Sequence, residues 1–478
     1  MVRPTVAPLD TCYRPSPMGS AVNVDGQRAG PRKRGSPPAN GAQLLRGAAS
    51  LSRVVRASWP MWLVAFSLNG FFVYLAILDA IDVEPVTPLT GAYYGLVCVG
   101  LLATVWHRRG VLVARLRPVA PTVVAFVAAA AVLSLWFVLN TVLLSNGTFA
   151  ARLAGLLVLW SIPTALVAAT LRRTDLTEVA RALAALSMVF VAIELLALVR
   201  AGTDVFRFSP IAELDPITAG LIPAIGAVAA LSLRPARMPG KALQFAIVVV
   251  LVAAAVLPGS RGPVVALAFG ALALALAQPL RRTAAAAVAV GGGFALGLLV
   301  ASHIGSFGYL VSTDTSPLDD STRPQKVLEA GGEEISTLSI RRQWLEDAIR
   351  DVPDEPIFGH GVGMQVDRTP EAIAMGVYGQ RTYPHNTLVE AAYSLGVIGL
   401  IAYLVFIGSA VLALVSVVRR SARDEGVVFA LAVGAFAFVN TNVSGEIGED
   451  ALLWTAAAVA VALYADSRRA TSSSTRRV

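Results

Sequence analysis

The chain has 478 residues, of which 55% are hydrophobic and only 15% charged, with a net charge of +8. Soluble domains carry about 25% charged residues, so this chain cannot clothe a water-facing surface, and soluble enzyme, fibrous protein and disulfide scaffold are excluded. The two cysteines, Cys12 and Cys98, fall in a polar tail and an apolar run, which leaves neither a disulfide framework nor a cysteine-based metal site.

Residues 1–58 are rich in Pro, Gly, Ser and Arg, lack an apolar run, and read as a disordered cytoplasmic tail. Apolar runs of about 20 residues then recur. They predict spans at 59–81, 89–106, 119–144, 151–171, 179–199, 215–233, 240–258, 262–280, 283–305, 388–417, 426–443 and 450–466. The first of them, Trp59–Ile81, reads as an uncleaved signal anchor. With the N-terminus inside, the inner segments hold 27 of the Lys and Arg residues and the outer ones 11, and every inner connection is basic. The +8 is therefore a matter of orientation rather than a nucleic-acid surface. The expected fold is an all-α polytopic membrane protein of about 12 helices with both termini cytoplasmic. Spans 1–9 occupy 59–305, an outer loop 306–384, spans 10–12 residues 385–466, and a cytoplasmic tail 467–478. Only three of the 39 basic residues are lysines (Lys33, Lys241, Lys326), a skew that fits a GC-rich bacterial genome.

The 306–384 loop carries 7 basic and 13 acidic residues, and a loop this long is uncommon unless functional. Within it, Ile340, Trp344, Ala348, Ile349 and Val352 follow near-helical spacing. Arg341, Arg342, Glu346, Asp347 and Arg350 supply polar faces, and Pro353 ends the run. This pattern predicts an amphipathic helix over 336–352 on or near the outer membrane surface; a solvated helix covering the bundle is the alternative. Next, Pro356–Gly363 carries alternating glycines at 359, 361 and 363, which permit positive φ and close approach of a ligand, or simply a flexible turn.

In Tyr383-Pro-His-Asn-Thr-Leu-Val-Glu390, Thr387 and Glu390 fit a capping box, so a helix is expected to start there. Its apolar run to Val417 covers 31 residues, roughly 46 Å against about 30 Å of hydrocarbon. The helix must tilt or project, which places His385 at or above the outer edge, beside a helix N-terminus suited to phosphate. Of the four histidines, His107 borders a basic inner loop, His303 ends a span and His360 lies in the glycine turn. An imidazole near an anionic substrate is a candidate base at neutral pH; a plain polar loop residue is the alternative for His385. Arg261, in the outer turn Pro258–Pro263, runs against the charge trend and offers either a snorkelling side chain or a fixed guanidinium for phosphate. Arg341, Arg342 and Arg381 would extend that patch, with Arg200 and Arg207 weaker candidates. Glu194 is an ionisable group inside a predicted span, and Asp82 and Glu84 form an acidic pair in the first outer loop.

Taken together, the Ser-Arg-Gly turn, the loop helix with its arginines, Pro-x-x-Gly-x-Gly-x-Gly, and Pro-His-Asn-x-Leu opening a helix with Gly396 and Gly399 resemble the O-antigen ligase and O-antigen polymerase superfamily of bacterial envelope glycan enzymes. The specific part covers about residues 258–405. The resemblance implies a GT-C-like helical fold and metal-independent inverting glycosyl transfer on the outer face, without cofactors. Its partners would be a glycan on a polyprenyl diphosphate, a glycan acceptor, the bilayer and envelope-assembly proteins. It places the essential histidine on His385 and the diphosphate on Arg261 and Arg341, with Arg342 one residue away. Gly359, Gly361, Gly363 and Asn386 would line the substrate loop. The same residues serve a polymerase, which the composition modestly favours, or a ligase. A flippase for the same lipid-linked glycan and a non-catalytic scaffold remain the rival classes; neither internal repeats nor a mid-bilayer site supports the flippase.

Overall fold

A computed structural model of the chain describes residues 58–80, 87–116, 120–145, 148–201, 216–235, 238–303, 329–330, 333–334, 337–365, 382–421 and 424–475. Most of the predicted N-terminal tail (1–57), Asp82, Glu84, Arg207 and Arg381 lie outside the described residues.

Among the described residues nine helices are long and apolar enough to cross a membrane. In chain order the helices are α1 (Ser58–Leu78), α2 (Thr87–Leu116), α3 (Pro121–Leu143), α4 (Thr148–Ala169), α5 (Arg173–Ala201) and α6 (Pro216–Ser232). Then come α7 (Met238–Val256), α8 (Arg261–Ala277), α9 (Leu280–His303), the loop helix α10 (Thr337–Asp351), α11 (Thr387–Ser421), α12 (Glu425–Ser444) and α13 (Ala451–Thr475). Each predicted span coincides with a helix. The apolar helices at α6 and α8 are shorter than the nine, and α13 turns polar from Asp466 onward. A two-residue antiparallel ladder, Glu329–Ala330 with Glu333–Glu334, lies in the large loop and was not expected from the sequence.

Leu96, Val142, Val199 and Leu276 are left largely exposed around the bundle, an arrangement that suits a hydrocarbon surround rather than water. Inside, packing is close: α3 meets α11 through stacked Phe126 and Phe406 rings 5.1 Å apart, and α8 meets α12 at Gly270, beside Ala432 and Phe436. Two helices carry π-helical turns, Phe66–Gly70 in α1 and Leu157–Ser161 in α4. Such turns disturb the regular carbonyl pairing, and side chains bond to carbonyls there: Tyr93 donates to Phe66 O at 2.9 Å and Trp160 to Ser67 O at 3.0 Å. At the basic end, buried Arg115 donates to Ala169 O at 2.8 Å and pairs with Asp466 at 2.9 Å, tying α2, the end of α4 and α13 together.

The long helix of the sequence reading is in fact broken. Gly396 sits at φ 64, ψ −165, a conformation open essentially to glycine alone, inside α11. Residues 387–395 form a separate short piece, and the 25 residues 397–421 give roughly 37 Å, close to what a bilayer needs. The excess length is thus taken up by the break and the short piece before it.

Candidate active site at the end of the bundle

The break in α11 is filled by the glycine turn. With the helix unwound, the carbonyls of Tyr393, Ser394 and Leu395 lose their helical partners. They accept instead from His360 N at 2.9 Å, Gly361 N at 3.2 Å and Trp136 Nε1 at 2.8 Å. In return Val397 N donates to Pro356 O at 2.8 Å. Asn140 of α3, fully buried, clasps the other side: its Nδ2 donates to Phe358 O and its Oδ1 accepts from Val362 N, both at 2.9 Å. The three glycines sit at φ 79, 104 and 64, and Gly359 lies so close to Gly396 that neither has room for a Cβ. These conformations serve a splice between turn and helix, with the N–H groups of residues 360–362 bonded internally. Of the three, Gly363 lines a cavity. Truncating Asn140 to alanine strands a buried carbonyl and a buried N–H; a loss of about 2–4 kcal/mol of stability is expected in thermal unfolding in detergent, and a loss under 0.5 kcal/mol would overturn this role.

His385 stands immediately before the start of α11, at φ 51, a region uncommon for residues other than glycine. The helix is capped by Asn386, whose Oδ1 accepts from Leu388 N and Val389 N at 3.1 Å each. The capping box expected from Thr387 and Glu390 does not form, although the helix starts where it was expected. Thr387 Oγ1 bonds Tyr403 OH at 2.7 Å, and Glu390 accepts from Ile447 N at 3.1 Å. Two N–H groups of the helix start are therefore already occupied by Asn386.

The imidazole lies between two aromatic rings: Tyr383, with ring centres 3.9 Å apart, and Trp344 of α10, stacked at 5.7 Å. Its Nδ1 is buried without a hydrogen-bond partner among the described residues. Burial, and then the nearby positive charge of Arg341, push its pKa down to about 3, so the ring is neutral at physiological pH. The loop helix thus presents two successive arginines differently. Arg341 is half-buried and its charge acts on the His385 ring, while Arg342 is exposed and bonded to Glu346 at 2.7 Å one turn on. The predicted apolar face of α10 is partly realised: Ala348 is buried and Trp344 meets His385, but Ile349 is 54% exposed, and the side chain of Ile340 lies outside the described residues.

Beside His385 is a cavity of about 10 Å³, room for roughly one water, lined by Gly363, Gln365, Thr382, Tyr383, Glu390 and Glu446 among others. Gln365 Oε1, Thr382 Oγ1 and Glu446 Oε2 are buried and find no hydrogen-bond partner among the described residues. Burial raises the Glu446 carboxyl to about 8, with the Glu449 charge adding to the shift. Sequence reading missed Glu446. It belongs to the turn 445–450, which dips toward Ser161 of α4, whose Oγ donates to Gly448 O at 3.1 Å. The only signal was three acids, Glu446, Glu449 and Asp450, gathered between two spans.

Arg261 opens α8 and is half-buried. Since α8 and α12 run antiparallel past Gly270 and Phe436, nine residues on α8 and eight on α12 carry Arg261 and Ser444 to the same end. It is one helix away from the turn carrying Glu446. Glu194 is fully buried in α5, with both carboxylate oxygens lacking hydrogen-bond partners among the described residues, and no described contact links it to His385. Among the described residues no group of three or more His, Cys, Asp or Glu is placed to hold a metal ion.

A polytopic helical membrane protein with a polar site at one end, built on a broken helix and a docked loop helix, is the class that this architecture defines. Residues 245–404 match the family model described as O-antigen ligase, which supports the resemblance to the O-antigen ligase and polymerase superfamily. That segment encloses Arg261, Arg341, the glycine turn, His385 and the break at Gly396. No curated protein matches the chain.

Proposed function

We propose that the protein is a metal-independent inverting glycosyltransferase. It would move a glycan from a polyprenyl diphosphate to a sugar hydroxyl at the outer face of a bacterial cell membrane, with the nine long apolar helices and α6, α8 and α13 all crossing and both termini cytoplasmic. The observation that carries this reading is the buried, unpartnered Nδ1 of His385, held between Tyr383 and Trp344 and within reach of the Arg341 charge, inside the segment that matches the family model. In the proposed step the acceptor hydroxyl donates a hydrogen bond to the free Nδ1 of neutral His385, and its oxygen attacks the anomeric carbon. The bond from that carbon to the diphosphate oxygen breaks. The proton passes to the imidazole, and Arg341 and Arg261 hold the departing diphosphate. The water-sized cavity next to Tyr383, with its unpartnered oxygens, has room for a single hydroxyl group of the acceptor. Arg381, from its place four residues before His385, is proposed to join the same patch; Arg342 is committed to Glu346.

Extension of a lipid-linked glycan is the favoured reaction. Transfer to a distinct acceptor is the second reading, favoured by the family's description as a ligase. Both are tested with paired variants in membranes supplied with lipid-linked glycan. Arg341→Gln is expected to lower turnover by about 10²–10³-fold, as when one transition-state donor is removed. Arg342→Gln, which breaks only an exposed ion pair, should stay within about threefold. Equal loss in both, or full activity in the first, would sink the reading. A growing ladder of products identifies a polymerase, and a single addition a ligase.

A further inference from the structure

At the opposite, basic end of the bundle is a second cavity, of about 250 Å³, between α7, α9 and the turn after α6. It arises from how two helices pack. α7 and α9 run in the same direction and touch almost backbone to backbone where Gly293 meets Val249 O and Val252, and Gly297 meets Ala253 O and Val256. On the Met238 and Leu280 side of these contacts the cleft opens between the two helices. Its walls are apolar, with Phe245, Val248, Ala286 and Ala289 among them. Its mouth carries four cations, Arg234, Lys241, Arg281 and Arg282.

Positive-inside topology asks only for basic loops; it does not ask that four cations ring one apolar cleft. Arg282 acts on Arg234 as a like charge, and Asp424 and Glu425 offset that repulsion in part. No salt bridge among the described residues involves Lys241, Arg281 or Arg282. Exposed Phe245, Met238 and Leu280 continue the apolar wall outward, where acyl chains would lie. Basic pockets between membrane helices are a recurrent seat for anionic head groups.

We propose that this cleft binds one anionic phospholipid, with its phosphate at Arg234, Lys241, Arg281 and Arg282 and an acyl chain along Phe245, Val248 and Ala286. The site is independent of the glycan reaction at the other end.

The test is native mass spectrometry of the full-length protein in detergent, titrated with phosphatidylglycerol or phosphatidylcholine. One phosphatidylglycerol should be retained in preference to phosphatidylcholine. R281Q/R282Q should weaken it about 30-fold, since each cation near an anionic headgroup is worth about fivefold. R419Q/R420Q removes two exposed cations from the same end but outside the cleft and should leave affinity unchanged. A286F keeps all four cations yet obstructs the acyl groove, and it should weaken lipid retention. Should R281Q/R282Q fail to insert, K241Q replaces it, with about a fivefold loss expected. The proposal is overturned by equal retention of the two lipids, by unchanged affinity in the cleft variants, by the same loss in R419Q/R420Q, or by inorganic phosphate displacing the lipid at equal concentration.

Discussion

Replacing His385 with alanine is expected to reduce glycan transfer by about 10²–10⁴-fold, the usual contribution of a positioned general base, while the protein still inserts and folds. Among the described residues the side chain makes ring contacts to Tyr383 and Trp344. Its loss removes an Nδ1 that has no hydrogen-bond partner among the described residues, so no such partner is left stranded there. The pH profile gives a sharper test. With its pKa pushed down to about 3, His385 is already neutral in the free protein throughout the range above about pH 5. The acid limb of kcat/KM should therefore be absent there. A bound diphosphate brings negative charge close to Arg341 and the ring, which favours the imidazolium and raises the pKa. kcat should accordingly fall off at a higher pH than kcat/KM does. A kcat/KM acid limb near pH 6.5 would show instead that the imidazole is solvated in the free protein. Unchanged product length and yield in His385→Ala would sink the catalytic reading altogether.

Gly396→Ala is expected to damage the whole protein rather than the chemistry alone. At φ 64, ψ −165 an alanine meets a backbone region that costs about 1–3 kcal/mol. Its Cβ would also collide with the Ile357 carbonyl carbon and Gly359 N, backbone atoms that cannot swing aside. The glycine turn must then leave the break, exposing the carbonyls of residues 393–395. Folded yield and thermal midpoint in detergent should both fall sharply, and proteolysis between 356 and 363 should accelerate. Gly408→Ala on the same helix is the control: nothing stands within 4 Å of its Cβ position, so its stability should hold or rise by about 0.4–1 kcal/mol. Equal thermal midpoints for the two variants would show that the break is not needed.

Hydropathy made the helices legible because a span announces itself in one local run, and the helix start at Asn386–Thr387 was visible for the same reason. The residue doing the capping was misassigned: Thr387 and Glu390 fit the local motif but are claimed by Tyr403 and Ile447, partners distant in the chain. His385 and Arg341 were readable as residue types, and the choice between Arg341 and Arg342 was not. Which of two neighbouring arginines is the less exposed depends on how α10 seats its Trp344 against the ring. Gly396 was noted as part of a motif, but the break needed the turn 356–362 to be seen filling it. Glu446, Gln365 and Thr382 share one small cavity only after three separate segments come together. Ile349 followed the helical spacing yet faces out, since spacing marks a face without saying what covers it.

The clasp between Asn140 and the glycine turn also sets an order of assembly. Asn140 and Phe358 are 218 residues apart in the chain, and Trp136 and Leu395 are 259 apart. At about 5–20 residues per second, ribosomes need roughly 10–40 s to make the stretch between the first pair. Through that interval α3 sits without the partners of its amide and indole. A chain stopped anywhere before residue 358 therefore holds an apolar bundle with an unanswered polar position in it, a natural handle for the quality-control machinery that separates unfinished membrane proteins from finished ones.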